Sequence, residues 1–337
     1  MKNSIFRSFA VTLVCCCVFS GMVLAQGNSS RARVAPSLLS SLPPSDAVAL
    51  INVNRVFEEA LPKLMAESPA KVAEVNEELA RFKTQTGLDP RSFHRVALGL
   101  SYTYPSPGIT KINTVAIASG TFNSGALVAA GRLAANGKYV EEKYQSKTIY
   151  VFTLDRQVKL LGLWNISISD LAVTSLSSNT LALGSLESVR GIIDANRTRK
   201  HANPQLVELA SRDPNAIMGF GGNISEALMQ NLRVSNDSWA RELTAVRQVY
   251  GSLGMTSTDM ELMVAARTVD PASAKNLSDT VEGLMQLGSF FLGRLRPVQE
   301  TLARSAIKNL KVTTVGNELQ IKTAVSQAQV APLMRGF

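Results

Sequence analysis

Apolar positions follow two periods along this chain, and each period predicts a different kind of element. Short apolar runs between turn-forming residues are typical of strands, and apolar residues three or four positions apart are typical of helices. In the first half, the predicted strands cover 46–53, 95–104, 113–119, 148–154, 170–175 and 180–183, and the predicted helices cover 57–65, 70–84, 124–136 and 188–196.

The second half of the chain shows a similar order of elements. The predicted strands there cover 216–220, 260–268, 310–315 and 318–323, while two predicted helices fill the interval up to Tyr250 and others cover 272–292 and 297–308. Adjacent strand pairs without regular strand–helix alternation predict an α+β fold, with mainly antiparallel sheets and helices packed on one face.

One phrase of the sequence occurs twice. Residues 49–61 read ALINVNRVFEEAL and residues 216–228 read AIMGFGGNISEAL, at a spacing of 216 − 49 = 167. Without a gap, the same spacing places the apolar stretch 96–100 opposite 263–267. Agreement at separated points predicts an internal duplication, so we expect two related halves, each with its own mainly antiparallel sheet.

The first 25 residues have the three parts of a secretory signal peptide. Lys2 and Arg7 form a basic head, residues 9–19 form an apolar run, and Val23 and Ala25 provide the small residues before a predicted cut. The run is shorter than the roughly 20 apolar residues that a membrane-spanning helix needs. We therefore expect a secreted or periplasmic protein with no stable transmembrane anchor after processing.

All three cysteines, Cys15, Cys16 and Cys17, lie inside this predicted signal peptide. The processed chain would then have no disulfide and no thiolate metal site, and its core would have to hold it together. The alternative is that one of these cysteines is lipidated, although the residues before them match such a site poorly. The predicted organisation is a signal peptide (1–25), a flexible leader (26–44), a first α+β half (45–197), a linker (198–212), a second α+β half (213–326) and a tail (327–337).

The charge of the chain is moderately positive. Thirty-five Lys and Arg against 26 Asp and Glu give a net charge of +9. Such an excess favours anionic surfaces, but it is equally typical of a soluble basic protein. The partner stays open between an anionic envelope component and another exported protein, and no specific nucleic acid is predicted.

Histidine is nearly absent, which limits the chemistry of the chain. His94 and His201 are its whole supply, so a histidine metal site is close to excluded and a Ser-His-Asp triad would need one of the two. The common nucleophile, zinc-protease, phosphate-loop and calcium-loop motifs are missing from the sequence. We predict no catalytic residue, no metal site and no cofactor.

Three segments are candidates for binding. A basic cluster could bind an anion or be a solvated linker; it consists of Arg197, Arg199, Lys200 and His201. An apolar helix face could line a ligand pocket or be core; it consists of Leu284, Met285, Phe290 and Phe291. A glycine-rich turn, 219–223, could hold a phosphate or simply need positive φ.

The start of the predicted mature region resembles a group of uncharacterised exported bacterial proteins. These begin with a phrase like Leu-Pro, followed by Asp-Ala-Val-Ala-Leu-Ile-Asn-Val, here 42–43 and 46–53. The resemblance implies export from a bacterium and a role that is non-enzymatic or unknown, and it transfers no functional residue.

Three functions remain open. The first is a binding or scaffold protein that uses the groove between the halves or an exposed sheet face. The second is a carrier of an apolar or lipid-like ligand, and the third is a hydrolase with an unrecognised site.

Overall fold

The computed structural model describes residues 38–334 except 67–68, 87–88, 107, 154–157, 161–163, 167–169, 232–241, 294 and 296. Twelve of the described strands form one antiparallel sheet, and two short strands, β6 and β7, pair with each other. The strands are β1 (Ala47–Asn52), β2 (Phe93–Ser106), β3 (Ile109–Gly120), β4 (Tyr139–Tyr144), β5 (Lys147–Thr153), β6 (Val158–Leu160), β7 (Trp164–Ile166), β8 (Asp170–Ser177), β9 (Thr180–Gly184), β10 (Met218–Asn223), β11 (Val246–Met255), β12 (Asp259–Thr268), β13 (Lys311–Val315) and β14 (Glu318–Ser326).

The described helices lie between these strands and at the end of the chain. Helix α1 (53–64) is composite, with a π-helical turn, Val56–Ala60, between two α-helical turns, Val53–Arg55 and Leu61–Leu64. The others are α2 (Pro69–Thr86), α3 (Ser124–Ala135), α4 (Leu186–Thr198), α5 (Pro204–Ala210), α6 (Glu226–Asn231), α7 (Pro271–Leu292), α8 (Pro297–Lys308) and α9 (Gln327–Met334). None of these helices combines the length and apolar composition that crossing a membrane requires.

The sheet runs continuously through both halves of the chain. Its order is β13-β14-β12-β11-β10-β1-β2-β3-β9-β8-β5-β4, and β1 and β10 pair at its centre, with Ala49 opposite Phe220. The prediction of antiparallel strands in an α+β fold is confirmed. The expectation of a separate sheet in each half is wrong, because the first strands of the two halves satisfy each other's backbone hydrogen bonds. No groove therefore separates the halves at this junction.

Helices cover both faces of the sheet, so the prediction of helices on one face is also wrong. Side chains alternate between the two faces along each strand. On the side that we call the α5 face, Val48 and Tyr250 pack with Leu206 of α5. On the opposite side, the α7 face, Leu319 packs with Leu277 of α7. A central sheet that is apolar on both sides needs helices on both.

The predicted leader, linker and tail, which were placed outside the two halves, contain parts of the core. Leu39 and Leu42, in the predicted leader, are fully buried. The predicted linker contains α5, whose Leu206 is fully buried, and the predicted tail contains α9, whose Val330 is buried against the α7 face. Packing these short apolar segments on the sheet removes apolar surface from water. The free energy gained in this way outweighs the tendency of the neighbouring turn-forming residues to leave the segments irregular.

The prediction of two helices up to Tyr250 is wrong in its last part. Tyr250 lies in the middle of β11, which pairs with β10 on one side and β12 on the other. Gly251 allows this pairing, because a side chain there would collide with the Met263 carbonyl and the Phe220 ring. Strand β4, at the far edge of the sheet, was not predicted, because the adjacent Glu141 and Glu142 interrupt the alternation of polar and apolar residues along it.

Candidate binding face

The α5 face is covered over most of the sheet and open at one end. Helix α4 packs over β9, β8 and β5, and α5 packs over β10, β1 and β11. Strands β12, β14 and β13 contact α7 on the opposite face. On the α5 face, Ala265 of β12 still belongs to the core that contains α5, and no described helix packs over β14 and β13. We call the side chains on this side that lie outside the α5 core the open face: Arg267 on β12, Glu318, Gln320 and Lys322 on β14, and Lys311, Thr313 and Val315 on β13. Ala265 and Met263 of β12 are on the same side, but they belong to the core cluster that contains Leu206 of α5.

The strand register arranges the open face in three rows. One row places Lys322 between Met263 and Lys311, so the two lysines are direct cross-strand neighbours. Like charges in this position are unfavourable. Lys311 is exposed and Lys322 is half-buried, and neither ammonium has an ion-pair partner within the described part of the chain. The row thus presents two uncompensated positive charges to whatever covers it.

The opposite end of the open face is a closed ion pair. The Arg267 guanidinium donates to Glu318 Oε1 from Nε at 2.9 Å and from Nη2 at 2.6 Å. Arg267 Nη1 donates to Gln248 Oε1 at 2.8 Å, and Gln248 Nε2 donates to Asn223 Oδ1 at 2.9 Å. These four residues are opposite one another on β10, β11, β12 and β14, so the register alone brings them into one polar row.

Tyr250 connects this row to the end of α5. Its ring is fully buried, and its hydroxyl donates to Glu318 Oε2 at 2.8 Å and accepts from Arg212 Nη1 at 2.7 Å. The Arg212 guanidinium also lies 4.6 Å from the centre of the Tyr250 ring. Burial, and then the hydrogen bond to Glu318, raise the pKa of Tyr250 to about 12, so the phenol stays neutral.

The carboxylate of Glu318 is fully engaged by its neighbours. Burial by itself raises the pKa of Glu318, but hydrogen bonds from Arg267 and Tyr250 outweigh burial and leave that pKa below its usual value. Glu318 is therefore an anion whose two oxygens already accept from Arg267 and Tyr250. Such a carboxylate positions its neighbours, while the groups free to bind on this face are the two lysine ammoniums.

The predicted basic cluster lies elsewhere, between α4 and α5. Arg197 lies in the last turn of α4, and Arg199 caps the helix with a left-handed backbone, φ 56°. Both are exposed, as is Lys200, while His201 is half-buried. The His201 Nδ1 atom is buried and has no hydrogen-bond partner among the described residues. None of the four belongs to the open face, and anion binding by them stays a prediction.

The predicted ligand-lining residues all belong to α7. Leu284 and Met285 are half-buried, and the side chains of Phe290 and Phe291 lie outside the described part of the chain. Near its start, α7 packs into the core, where Leu277 contacts Leu319.

The glycine-rich segment is neither a phosphate cradle nor a turn with positive φ. Gly219 and Gly221 lie within β10, and neither has positive φ. A side chain on Gly219 would collide with the Ala210 carbonyl of α5, and one on Gly221 would crowd Leu209. The glycines therefore let α5 approach the sheet closely. The helix already occupies the space that a phosphate would need on this face.

The open face was not among the predicted sites, although the sequence carries a signal for it. Residues 318–322 read ELQIK, a strict alternation of polar and apolar residues, which indicates that one side of this strand is polar. The role of Tyr250 could not be found in this way, because its segment was predicted as helix. In the described residues, no group of three or more His, Cys, Asp or Glu is placed to hold a metal ion.

No protein-family model and no curated protein sequence matches the chain. Among solved structures, the chain is similar to crystal forms of TP0453. Form IV superposes with a TM-score of 0.45 at 9% identity, covering 91% of this chain and 99% of that chain. Form I gives 0.43 at 8% identity over 88% and 95%, and form III gives 0.43 at 8% identity over 89% and 98%. At these scores the likeness assigns no function to the chain.

Proposed function

We propose that this chain is an exported binding or scaffold protein that acts through the open face rather than by catalysis. The observation that supports this proposal is the unneutralised row formed by Lys311 and Lys322, on the part of the α5 face that no described helix covers. A like-charged pair opposes folding slightly, and a partner that brings carboxylates would reverse the effect.

The partner that fits this surface is an extended acidic segment of another exported protein. Among the described strands, β13 is the last of the sheet and pairs with β14 alone, which leaves its outer backbone groups as the place for an added strand. Side chains of an added strand alternate between the two faces. Carboxylates at every second position would therefore lie beside Lys311, with Lys322 one strand further in adding to the positive potential, while the backbone supplies affinity.

Protection of a sheet edge against aggregation is a simpler reason for a lysine on β13. It accounts for Lys311, which lies on the edge strand itself. It does not account for Lys322, which lies on the inner strand β14 directly opposite. The second lysine is what favours a binding role over edge protection alone.

Export rests on the composition of residues 1–25, which lie outside the described part of the chain. N-terminal sequencing of native material tests it. A mature chain beginning at Gln26 supports export, and a chain beginning at Met1 and recovered from cytosol contradicts it.

An internal duplication is part of this proposal, at a spacing that changes along the chain. Leu39 and Leu42 lie 167 positions before Leu206 and Leu209, and all four are almost completely buried beside the first strand of their half. Outward from the centre, the sheet order is β1-β2-β3-β9-β8 on one side and β10-β11-β12-β14-β13 on the other. In this order, β2 of the first half corresponds to β11 of the second. A constant spacing of 167 residues would instead make β2 correspond to β12, so that spacing holds only through the first strand of each half.

A fluorescence anisotropy titration tests binding by the open face. The probe is a labelled short peptide of alternating Glu and Val, and the test variant carries both Lys311→Gln and Lys322→Gln. We expect the wild type to bind and the variant to lose about tenfold or more in affinity, the size expected when close charge pairs across an interface are removed.

The matched control is Lys275→Gln, an exposed lysine on α7 at the opposite face, which should leave affinity unchanged. A peptide of alternating Lys and Val should not bind. A Glu–Val peptide with methylated backbone nitrogens should bind more weakly, because it cannot donate hydrogen bonds to β13. The proposal is wrong if the wild type does not bind the Glu–Val peptide, or if the double variant binds it equally well.

A further inference from the structure

A cavity of about 350 Å³ lies between α1 and α2, away from the open face. Its volume is near the lower end of the range for pockets that take small molecules, about 300–1,000 Å³. Its walls are mainly apolar and come from both helices: Phe57, Leu61 and Pro62 from α1, and Val72, Val75 and Leu79 from α2. A lipid with two acyl chains would not fit in this volume.

The polar groups of the cavity carry charges of both signs. Glu58 and Asn54 come from α1, Asn76 comes from α2, and Arg91 comes from the short 3₁₀ turn Pro90–Ser92. The Arg91 guanidinium donates from Nη2 to Asn76 Oδ1 at 2.8 Å, which orients it and leaves its other N–H groups free of ion pairs. Within the described residues, neither Glu58 nor Arg91 forms an ion pair.

The wall from α1 has an unusual backbone that places these groups. Phe57 and Glu58 belong to the π-helical turn, in which the Leu61 N–H bonds to the Val56 carbonyl. Pro62 explains the turn, because proline has no N–H and its ring clashes with the carbonyl four residues earlier, here that of Glu58. π-Helical turns inside α-helices occur often at functional sites. The wider turn presents Phe57 and Glu58 side by side at the cavity.

We propose that this cavity binds a zwitterionic molecule with an apolar body, of the size of a short apolar peptide with free ends. The carboxylate would bind the Arg91 guanidinium beside Asn76, as charge-assisted hydrogen bonds favour. The ammonium would bind Glu58, and the apolar side chains would pack between Phe57 and Val75. Glu58 and Arg91 are both exposed, so a purely apolar ligand would leave these charges to water and gain no interaction with them, and a purely anionic one would lie beside Glu58.

Isothermal titration calorimetry with the dipeptide Leu-Leu tests this proposal. Binding by the wild type is expected, and Arg91→Gln and Glu58→Gln should each weaken it by about tenfold, because each change removes one charge-assisted hydrogen bond to the ligand. The wild type should bind N-acetyl-Leu-Leu-amide, which lacks both charges, no more tightly than the two variants bind Leu-Leu. Circular dichroism of each variant verifies that it is folded.

Arg81→Gln is the matched control, since Arg81 lies on α2, pairs with Glu78 at 3.3 Å and does not line the cavity. It should leave the affinity for Leu-Leu unchanged, as should the Lys311→Gln, Lys322→Gln double variant. The last result separates this proposal from binding at the open face. The inference is overturned if the wild type binds no Leu-Leu, binds the capped peptide equally well, or binds Leu-Leu with unchanged affinity after folded Arg91→Gln.

Discussion

The two ends of the sheet differ on the α5 face. At the β9 end, Ala172 and Ala182 are small and buried, and Val189 and Ile192 of α4 pack on them. At the β14 end, the same face carries Glu318, Gln320 and Lys322, and no described helix packs there. Small apolar residues accept a helix, whereas long polar side chains keep the face hydrated. The covered end therefore contributes apolar packing to stability, and the proposed binding role rests on the polar end.

Each end also contains an arginine–glutamate ion pair, and the two pairs differ in how far their side chains are exposed to solvent. Arg190 donates to Glu142 with Nε–Oε1 at 2.7 Å, close to the 2.9 Å between Arg267 and Glu318. The side chains of the first pair are 41% and 27% exposed, against 22% and 18% for the second. The geometry is similar, so the difference in solvent screening should decide their contributions to stability.

The largest effect is expected at the covered end. Ile192→Ala removes a fully buried side chain from the contact between α4 and the sheet. Such a change should lower the free energy of unfolding by about 2–5 kcal/mol. Urea denaturation measures it, with Asn196→Ala, at an exposed position of the same helix, as the control. A loss no larger than that of the control would mean that α4 does not stabilise this end.

The next effect concerns the buried ion pair. Glu318→Gln removes the charge that Arg267 and Tyr250 contact, and should lower the free energy of unfolding by about 1.5–3 kcal/mol. Glu142→Gln, in the exposed pair, should change the urea midpoint much less. Equal losses in the two variants would contradict the role given to burial.

The same pair should make stability depend on pH. The pKa of Glu318 is lowered in the folded chain, so its contribution is present above the ordinary value of 4.5 and is lost as the pH falls through the lowered pKa. Urea midpoints measured from neutral to acidic pH should therefore converge for wild type and Glu318→Gln. A difference that stays constant down to acidic pH would show that the charge of Glu318 is not responsible.

The smallest effect has the opposite sign. Lys322→Gln removes the repulsion from Lys311 across the strands, so it should raise the free energy of unfolding by about 0.2–1 kcal/mol. Lys275→Gln, on α7, controls for the general loss of a positive charge. A destabilised Lys322→Gln variant would mean that Lys322 has a partner in the folded chain, and would remove the main support for the open face as a binding site.

Local patterns in the sequence were sufficient for most of the elements. The predicted strand at 113–119 corresponds to β3, and the predicted helix at 272–292 corresponds to α7, because periodicity depends only on neighbouring residues. The prediction failed at Tyr250 and at 204–210. At Tyr250 the strand is stabilised by its partners on both sides, and α5 is held by burial against β10 rather than by its own length.

By itself, the sequence determined the α+β class, most element positions and the scarcity of histidine, since each depends on composition or short-range spacing. Only the tertiary structure decided that β1 and β10 join the halves into one sheet, that Lys322 lies opposite Lys311, and that Arg91 shares a cavity with Glu58. Strand register and helix packing bring together residues far apart in the chain, and local propensities do not encode which of them meet.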